Sequence, residues 1–310
     1  MSTILSTLPH MDAGADPCDL RIKSVSKHYK GFTLDSISLD VPRGSIVGLI
    51  GQNGAGKTTL MKAALGTIRI DGGAVELFGQ NVADLSDSER IALHKRVGFV
   101  GAVTAYPSVM TVSEVATMYG LAFPAFDRAA FECLATRMEL LPGSANKKVK
   151  DLSRGMGMKL QLACVLASGA DLIVLDEPTA GLDPIVREDV LDIVRTWMED
   201  ERHSALISSH ITTDLEKVAD YLVFIEDGRV IMSCERDAIE SMGVARLRSA
   251  ELERVLADGL VGNARVLRHD LSYDLLVFDR IAFQRAYPDF VCDRASIDDV
   301  MVLIVKGEVR

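Results

Sequence analysis

The sequence lacks paired cysteines, and this absence argues against two classes of protein. Its five cysteines are odd in number, widely scattered and never spaced as C-x-x-C; they are Cys18, Cys133, Cys164, Cys234 and Cys292. Neither a disulfide framework nor a zinc site is therefore indicated, and a reducing cytosol fits this cysteine usage best.

The sequence also lacks a segment suited to crossing a membrane. The longest apolar stretch, Leu160 to Leu175, is interrupted by Gln161, Ser168 and Asp171 and is too short and polar to span a bilayer. No basic region followed by an apolar core opens the chain, so no secretory signal is expected. Any role at a membrane would therefore come through a partner.

An excess of positive charge is missing as well. The formal net charge is −10 at pH 7, which argues against binding nucleic acid through overall charge. With 310 residues and 48% hydrophobic residues, the chain can bury one substantial core and an appended small domain. Residues 1–19 are polar with scattered glycine and proline, so we expect a flexible lead-in there.

A glycine-rich turn between an apolar run and a helical run dominates what is present. Ile46 to Ile50 is predicted to be a buried strand, and helix-permissive residues run from Thr58 to Leu65. The turn between them matches G-x-x-x-x-G-K-[ST], the P-loop pattern, in the structural context that the pattern requires. The residues expected to contact a nucleotide here are Gly51, Asn53, Gly54, Ala55, Gly56, Lys57, Thr58 and Thr59.

The chemistry of a phosphate site explains these residue types. Glycines let several backbone N–H groups converge on phosphate oxygens, helped by the positive end of the following helix. Lys57 is expected to reach the β- and γ-phosphates, the Thr58 hydroxyl to ligate Mg²⁺, and Thr59 to help hold the inner phosphates.

Two further apolar strands are predicted to end in catalytic residues. The run Asp171 to Pro178 ends with Asp176, a candidate Mg²⁺ ligand, and Glu177, a candidate base for the attacking water. The run Leu206 to His210 ends with a histidine that could contact the γ-phosphate or orient the water. Because ligands gather at the carboxyl ends of strands in open α/β sheets, these residues are expected to meet.

Two other stretches suggest contacts with a nucleotide. Ser153 and Gly155 precede a helical run from 157 to 167 and form a second candidate anion site, although an ordinary serine N-cap is the alternative. Tyr29 ends the first strand of a predicted antiparallel hairpin (21–29 and 32–39) and could stack on adenine or simply pack its neighbours.

Together these motifs resemble the nucleotide-binding subunits of ATP-binding cassette transporters. Tyr29 is similar to the A-loop aromatic residue, Gly51 to Thr58 to the Walker A motif, and Leu152 to Met156 to the signature motif. Asp176 and Glu177 resemble the Walker B aspartate and the catalytic glutamate. Ala180 to Asp183 resembles the D-loop, and His210 the switch histidine.

The resemblance implies a fold and a domain organisation. The fold is an α/β P-loop NTPase, with a RecA-like core, an antiparallel β subdomain and a helical subdomain at about 90–165, plus a small C-terminal α+β appendage. The nucleotide-binding domain would span 20–235 and the accessory domain 236–310. In the appendage, the sequence predicts strands at 264–268 and 273–278 and a helix that begins after Ser296.

The resemblance also implies how such a chain works. ATP would be held between the P-loop of one copy and Ser153 and Gly155 of a second, with Asp183 nearby, in a head-to-tail homodimer. The dimer would energise the integral-membrane permease of an exporter from the cytoplasmic face of the membrane. Residues 102–114 would form the groove that accepts the permease. No nucleic acid partner is expected.

The sequence departs from the family pattern at two places. The glutamine of the Q-loop is replaced by Ala102, and Thr104 is a candidate substitute. The signature motif contains Arg154 and Met156 where glycine and glutamine are common. Two alternatives remain open at this point: a soluble cassette ATPase acting on nucleic acid or ribosomes, and an inactive nucleotide-binding subunit.

Overall fold

The computed structural model describes residues 5–6, 17–104, 106–259, 261 and 265–309, which form three sheets with helices packed around them. The strands are β1 (Leu5–Ser6), β2 (Cys18–Tyr29), β3 (Phe32–Pro42), β4 (Ile46–Ile50), β5 (Gly72–Leu77), β6 (Gln80–Asn81), β7 (Val97–Val100), β8 (Leu172–Asp176), β9 (Ser204–Ser209), β10 (Tyr221–Glu226), β11 (Arg229–Glu235), β12 (Gly243–Leu247), β13 (Arg265–Arg268), β14 (Tyr273–Val277), β15 (Cys292–Arg294) and β16 (Glu308–Val309). The helices are α1 (Lys57–Ala64), α2 (Asp87–His94), α3 (Val112–Ala122), α4 (Arg128–Arg137), α5 (Arg154–Leu166), α6 (Pro184–Trp197), α7 (Thr212–Val218), α8 (Arg236–Glu240), α9 (Ser249–Ala257), α10 (Arg280–Ala286) and α11 (Ile297–Lys306).

The largest sheet has seven strands in the order β1-β11-β10-β4-β9-β8-β7. The neighbours from β10 to β7 are all parallel, whereas β10 and β11 form an antiparallel pair. Every residue of β4, β8 and β9 is buried, as strands covered on both faces require, which is why they are apolar runs in the sequence. Their carboxyl ends consequently lie along one edge of the sheet, and the predicted α/β fold is confirmed.

A separate antiparallel sheet, β3-β2-β5-β6, contains the predicted hairpin. The two long strands pair from Tyr29 opposite Phe32 back to Cys18 opposite Pro42. Their inward side chains share a buried core with β4 and α1, so the hairpin is fixed against the start of the P-loop helix.

Three helices between β7 and β8 form the helical region of the fold. Helix α3 begins with a capping box in which Thr111 and Glu114 bond reciprocally, and Phe131 of α4 is fully buried. The core of these helices continues into the core beneath the seven-stranded sheet. Helix α5 packs against α3, α4 and α6 and so connects the helical region to the rest of the core.

The C-terminal residues form a five-stranded sheet, β15-β12-β14-β13-β16, with α11 packed beside it. The predicted strands are present as β13 and β14, although Ala264 lies outside the described residues. The predicted helix is α11, capped by Ser296 in a capping box with Asp299. Side chains of α11 join the same buried core as the seven-stranded sheet, so the appendage is packed onto the body of the protein.

The flexible lead-in was predicted to end at residue 19, and this boundary is wrong because strand β2 begins at Cys18. Asp19 is fully buried, accepting hydrogen bonds from the Ser204 hydroxyl at 2.7 Å and from Arg43 at 2.9 Å. These partners lie far along the chain, so local sequence could not reveal them. Of the earlier residues, Leu5–Ser6 pairs with β11, and positions 1–4 and 7–16 lie outside the described residues.

Candidate functional site

The glycine-rich loop passes from β4 to α1 in a shape that side chains would prevent. A Cβ on Gly51 would lie 2.4 Å from the carbonyl oxygen of Ile225, and one on Gly56 would lie 2.7 Å from the Phe32 ring. Gly56 also has φ +111°, a conformation that glycine adopts readily. The loop therefore needs its glycines both for space and for backbone shape.

Lys57 is the buried cation of this loop. Its Nζ donates to the carbonyl oxygens of Gly51 at 2.7 Å and Gln52 at 3.2 Å, and it lies 3.1 Å from Glu177 Oε1. The side chain is 6% exposed, so its charge is little screened by water. An ammonium group in this position can act on an anion bound within the loop.

Thr58 and Asp176 meet although they lie 118 residues apart. The Thr58 hydroxyl donates to Asp176 Oδ2 at 2.8 Å, because α1 begins where β4 ends and β8 ends two strands away. Both side chains offer oxygen ligands, which Mg²⁺ prefers. Within the described residues no group of three or more His, Cys, Asp or Glu forms a metal cage. This donor set therefore fits an ion that a substrate's phosphates also hold.

Glu177 and His210 form a hydrogen-bonded pair at the ends of β8 and β9. Glu177 Oε2 lies 2.6 Å from His210 Nδ1, and it also accepts a weaker bond from the backbone N–H of His210 at 3.3 Å. Glu177 has φ +53°, a strained conformation for a residue with a side chain. The fold thus holds this carboxylate in a particular direction at some energetic cost.

Ser208 is a residue of the site that the sequence interpretation missed. It lies opposite Asp176 in the sheet register and donates its hydroxyl hydrogen to Asp176 Oδ1 at 2.6 Å. The same hydroxyl accepts the backbone N–H of Glu177 at 3.0 Å. One fully buried serine therefore bonds both the carboxylate of the predicted Mg²⁺ ligand Asp176 and the backbone of the predicted base Glu177. Its place two residues before His210 was the available signal.

Another carboxylate, Glu226, lies at the end of β10. Burial and the neighbouring charge of Asp227 raise its pKa, while the charge of Lys57 lowers it. With the pKa raised overall, Glu226 loses its charge at a higher pH than an ordinary glutamate.

The predicted second anion site lies on a different surface. Ser153 caps α5 by accepting the N–H of Met156 at 3.2 Å, and a Cβ on Gly155 would lie 3.2 Å from Val186 of α6. Asp183 caps α6 by accepting two backbone N–H groups. Among the described contacts, none joins this surface to the P-loop of the same chain.

The variant signature residue Arg154 links that surface to the D-loop. A Cβ on Gly181 would lie 2.6 Å from Arg154 Nη1, so the guanidinium packs directly on the backbone of the D-loop. Gly181 has φ +71°, and both facts require glycine there. The signature and D-loop residues thus form one continuous surface.

The remaining predicted residues lie within the P-loop segment or, for Tyr29, at the hairpin end near it. Tyr29 is 46% exposed and pairs with Phe32, whose ring touches Gly56, so the tyrosine lies at the hairpin end nearest the loop. Lys27 Nζ lies 5.5 Å from the centre of its ring, and stacking of that ring on adenine stays a prediction. Asn53 is exposed, Ala55 is buried and Thr59 is half-buried.

The Q-loop position carries no polar side chain toward the carboxylates. Ala102 is half-buried. Thr104 packs against α5, since a Cβ on Gly157 would lie 2.6 Å from Thr104 Oγ1. In the described structure Asp176 bonds Thr58 and Ser208 instead. Thr104 as a replacement for the Q-loop glutamine stays a prediction. In the structure its hydroxyl faces helix α5.

Comparison with known proteins connects this geometry to a family. A family model described as "ABC transporter" matches residues 34–180. "Lantibiotic transport ATP-binding protein SrtF" of Streptococcus pyogenes is 32% identical over 231 residues, covering 72% of this chain and 93% of that protein. "Nod factor export ATP-binding protein I" of Burkholderia orbicola (strain AU 1054) is 35% identical over 218 residues, 69% of each chain.

Solved structures share the fold. A dimeric ATP-binding cassette in a post-hydrolysis state, bound to ADP and phosphate, superposes with a TM-score of 0.63 at 23% identity. The match covers 70% of this chain and 98% of that one. With the phosphate loop, the paired carboxylates and the histidine in place, the chain belongs to the ATP-binding cassette (ABC) transporter family, as an ATP-binding and ATP-hydrolysing subunit.

Proposed function

We propose that this chain powers export through a separate membrane protein, by closing and opening a head-to-tail homodimer around ATP. The supporting observation is a separation of two half-sites. Lys57, Thr58, Asp176, Glu177 and His210 converge at one sheet edge, whereas Ser153 lies on the surface of α5. Because one chain offers both halves apart, two chains related by a twofold axis can complete two sites.

The chain's own residues supply the hydrolytic chemistry. Glu177 accepts a proton from a water molecule as the water oxygen bonds to the γ-phosphorus and the bond to the β–γ bridging oxygen breaks, leaving ADP and phosphate. His210, hydrogen-bonded to Glu177 at 2.6 Å, holds that carboxylate in position. Lys57 stabilises negative charge on the phosphates.

The oxygen pair of Thr58 and Asp176 fits Mg²⁺. The two oxygens lie 2.8 Å apart beside the P-loop, and this closeness supports the assignment. Mg²⁺ in such sites uses one or two protein oxygens together with substrate phosphates, and it supplies positive charge that offsets the charge of the triphosphate. We assign these two residues to hold it.

The membrane partner is proposed to dock at residues 102–114. Val103 is 81% exposed and Val109 is 67% exposed, and exposed apolar side chains in one segment are compatible with a protein contact. No described helix combines the length and apolar character needed to cross a bilayer. We propose that the chain reaches the cytoplasmic face of a membrane through a permease. The relatives named above are transport proteins, which favours this role over action on nucleic acid or ribosomes.

The dimer is tested with Glu177→Gln, which keeps the size of the side chain but removes the base. We expect hydrolysis to fall by about 100-fold or more, the range lost with a general base, and the protein to dimerise when ATP is added, because the nucleotide persists. Light scattering with and without ATP measures this. A variant that stays monomeric with ATP at high concentration would refute the dimer.

The permease is tested by purifying the chain from detergent-solubilised membranes. Recovery of the chain without a membrane protein would count against the proposed permease partner.

A further inference from the structure

Helix α7 begins two residues after His210 and depends on other elements for its position. It has only seven residues, and its N-cap residue Ile211 makes no side-chain cap bond. A helix this short is not stable alone in water. Its orientation, and that of the histidine before it, must therefore come from tertiary contacts.

Helix α11 of the C-terminal appendage supplies contacts on one side. Leu215 and Val218 of α7 share a buried core with Ile297, Val300 and Ile304 of α11. The two helices are packed together. The apolar contact fixes the distance between them but, being non-directional, does not fix the rotation of α7.

Two hydrogen bonds between the helices are directional. The hydroxyl of Thr212, a residue only 4% exposed, donates to Asp298 Oδ1 at 2.8 Å. The backbone N–H of Ile297 donates to Glu216 Oε1 at 3.2 Å. The first bond holds the first residue of α7 and so fixes where that helix begins.

A short turn carries this constraint to His210. The Ser209 hydroxyl accepts the N–H of Ile211 at 2.9 Å and donates to the carbonyl oxygen of Ile211 at 3.2 Å. The turn closes around His210, which is bonded to Glu177. A displacement of Thr212 would therefore be passed to the histidine and to the carboxylate it holds.

Helix α6 holds the opposite side of α7 through charges. Lys217 is ion-paired with Glu188, and Arg187 Nε lies 3.9 Å from Asp214, whose side chain is buried. These pairs act on the third and sixth residues of α7. The contact with Asp298 is thus the one described side-chain hydrogen bond on its first residue.

We propose that Asp298 is a positioning residue for hydrolysis, acting through Thr212 on His210 and Glu177. The last described helix of the C-terminal appendage would then set the orientation of the switch histidine. The inference rests on the roles assigned above to His210 and Glu177.

The test compares ATPase kinetics of the full chain with Thr212→Val and Asp298→Ala. Loss of a directional bond of ordinary strength predicts that kcat falls about five- to tenfold, while KM for ATP stays within twofold. Thr212→Ser and Asp298→Asn, which keep the donor and the acceptor, should retain activity. The double variant Thr212→Val/Asp298→Ala should be no worse than either single variant, because both remove one interaction.

Asp299→Ala is the matched control. Asp299 caps the same helix through Ser296 but makes no described contact with α7, so this variant should lower thermal stability while kcat stays unchanged. An equal loss of kcat in Asp299→Ala, or failure of Thr212→Ser to retain activity, would overturn the proposal. His210→Ala separates a failure of the proposed function from a failure of this inference. Normal activity in His210→Ala would refute the role assigned to the histidine. Lost activity in His210→Ala together with normal activity in Asp298→Ala would refute only the role assigned to Asp298.

Discussion

At the scale of single residues, the site depends on a few buried polar groups that hold the catalytic ones. Ser208 is fully buried and bonds both Asp176 and the backbone of Glu177. Glu177 itself has a strained φ. A carboxylate held in such a conformation needs surrounding bonds to keep it there.

Ser208→Ala removes this support without touching a nucleotide directly. We expect kcat for ATP hydrolysis to fall about tenfold or more, since Asp176 and Glu177 both lose a partner, and stability to fall by about 1–3 kcal/mol from the unsatisfied groups. Steady-state kinetics and thermal unfolding measure the two effects.

Ser168→Ala provides the comparison, because Ser168 is equally buried and donates to the carbonyl oxygen of Val165 at 2.7 Å away from the site. It should lose stability and keep its kcat. If the two variants lost activity alike, the role assigned to Ser208 would be wrong.

The motif residues could be predicted from sequence because each lies next to a glycine turn or a strand end. Lys57, Asp176 and His210 each end or follow a buried apolar strand, and such strands meet at one edge. Ser208 could not be identified in the same way. Its function follows from the register with Asp176, which is a property of the folded sheet.

At the scale of elements, α5 presents the second half-site through its N-terminus. The side-chain oxygen of Ser153 already accepts a hydrogen bond from the N–H of Met156, which is an ordinary capping bond. The signature role and the capping role are therefore both possible for one hydroxyl, since it can accept one bond and donate another.

Ser153→Ala distinguishes these roles. Loss of a cap alone costs about 1 kcal/mol of stability and should leave assembly intact. If Ser153 also contacts the γ-phosphate bound to a second chain, the variant made in Glu177→Gln protein should fail to dimerise with ATP. Light scattering at several protein concentrations would show this.

Ser86→Ala is the control for this experiment, because Ser86 caps α2 in the same way. It should lose similar stability and still dimerise in the Glu177→Gln protein. ATP-dependent dimers of normal strength in the Ser153 variant would contradict the assignment of this surface.

Elements with strong local signals were predicted, and those without were missed. The strands β4 and β8 are continuous apolar runs, and α11 follows a clear capping serine. Strand β12 was missed because its sequence mixes glycine, arginine and apolar residues. Its strand conformation depends on pairing with β14 and β15 on either side.

At the scale of the whole molecule, the C-terminal appendage has a buried core of its own, and its helix α11 also packs into the core of the nucleotide-binding part. Val300, Leu303 and Ile304 of α11 lie in the same cluster as Leu215 and Val218 of α7. Removing several such side chains would expose their partners to water. The appendage is therefore part of what keeps the ATPase folded.

A chain ended after Glu235 should consequently fail to fold stably. Loss of each large buried side chain costs about 2–5 kcal/mol, and several together match the total stability of a typical domain, about 5–15 kcal/mol. We expect aggregation or a much lower unfolding temperature, measured by thermal scanning, together with loss of ATPase activity. Full activity and an unchanged unfolding temperature would show that the appendage only covers an edge.

The packing of α11 on α7 also has a consequence for synthesis. Thr212 and Asp298 are 86 residues apart in the chain, and ribosomes add about 5–20 residues per second. The apolar face of α7 therefore leaves the ribosome on the order of 4 to 17 seconds before its partner helix does. During that interval its apolar side chains lack their partner, and such transiently exposed apolar surface is prone to aggregation.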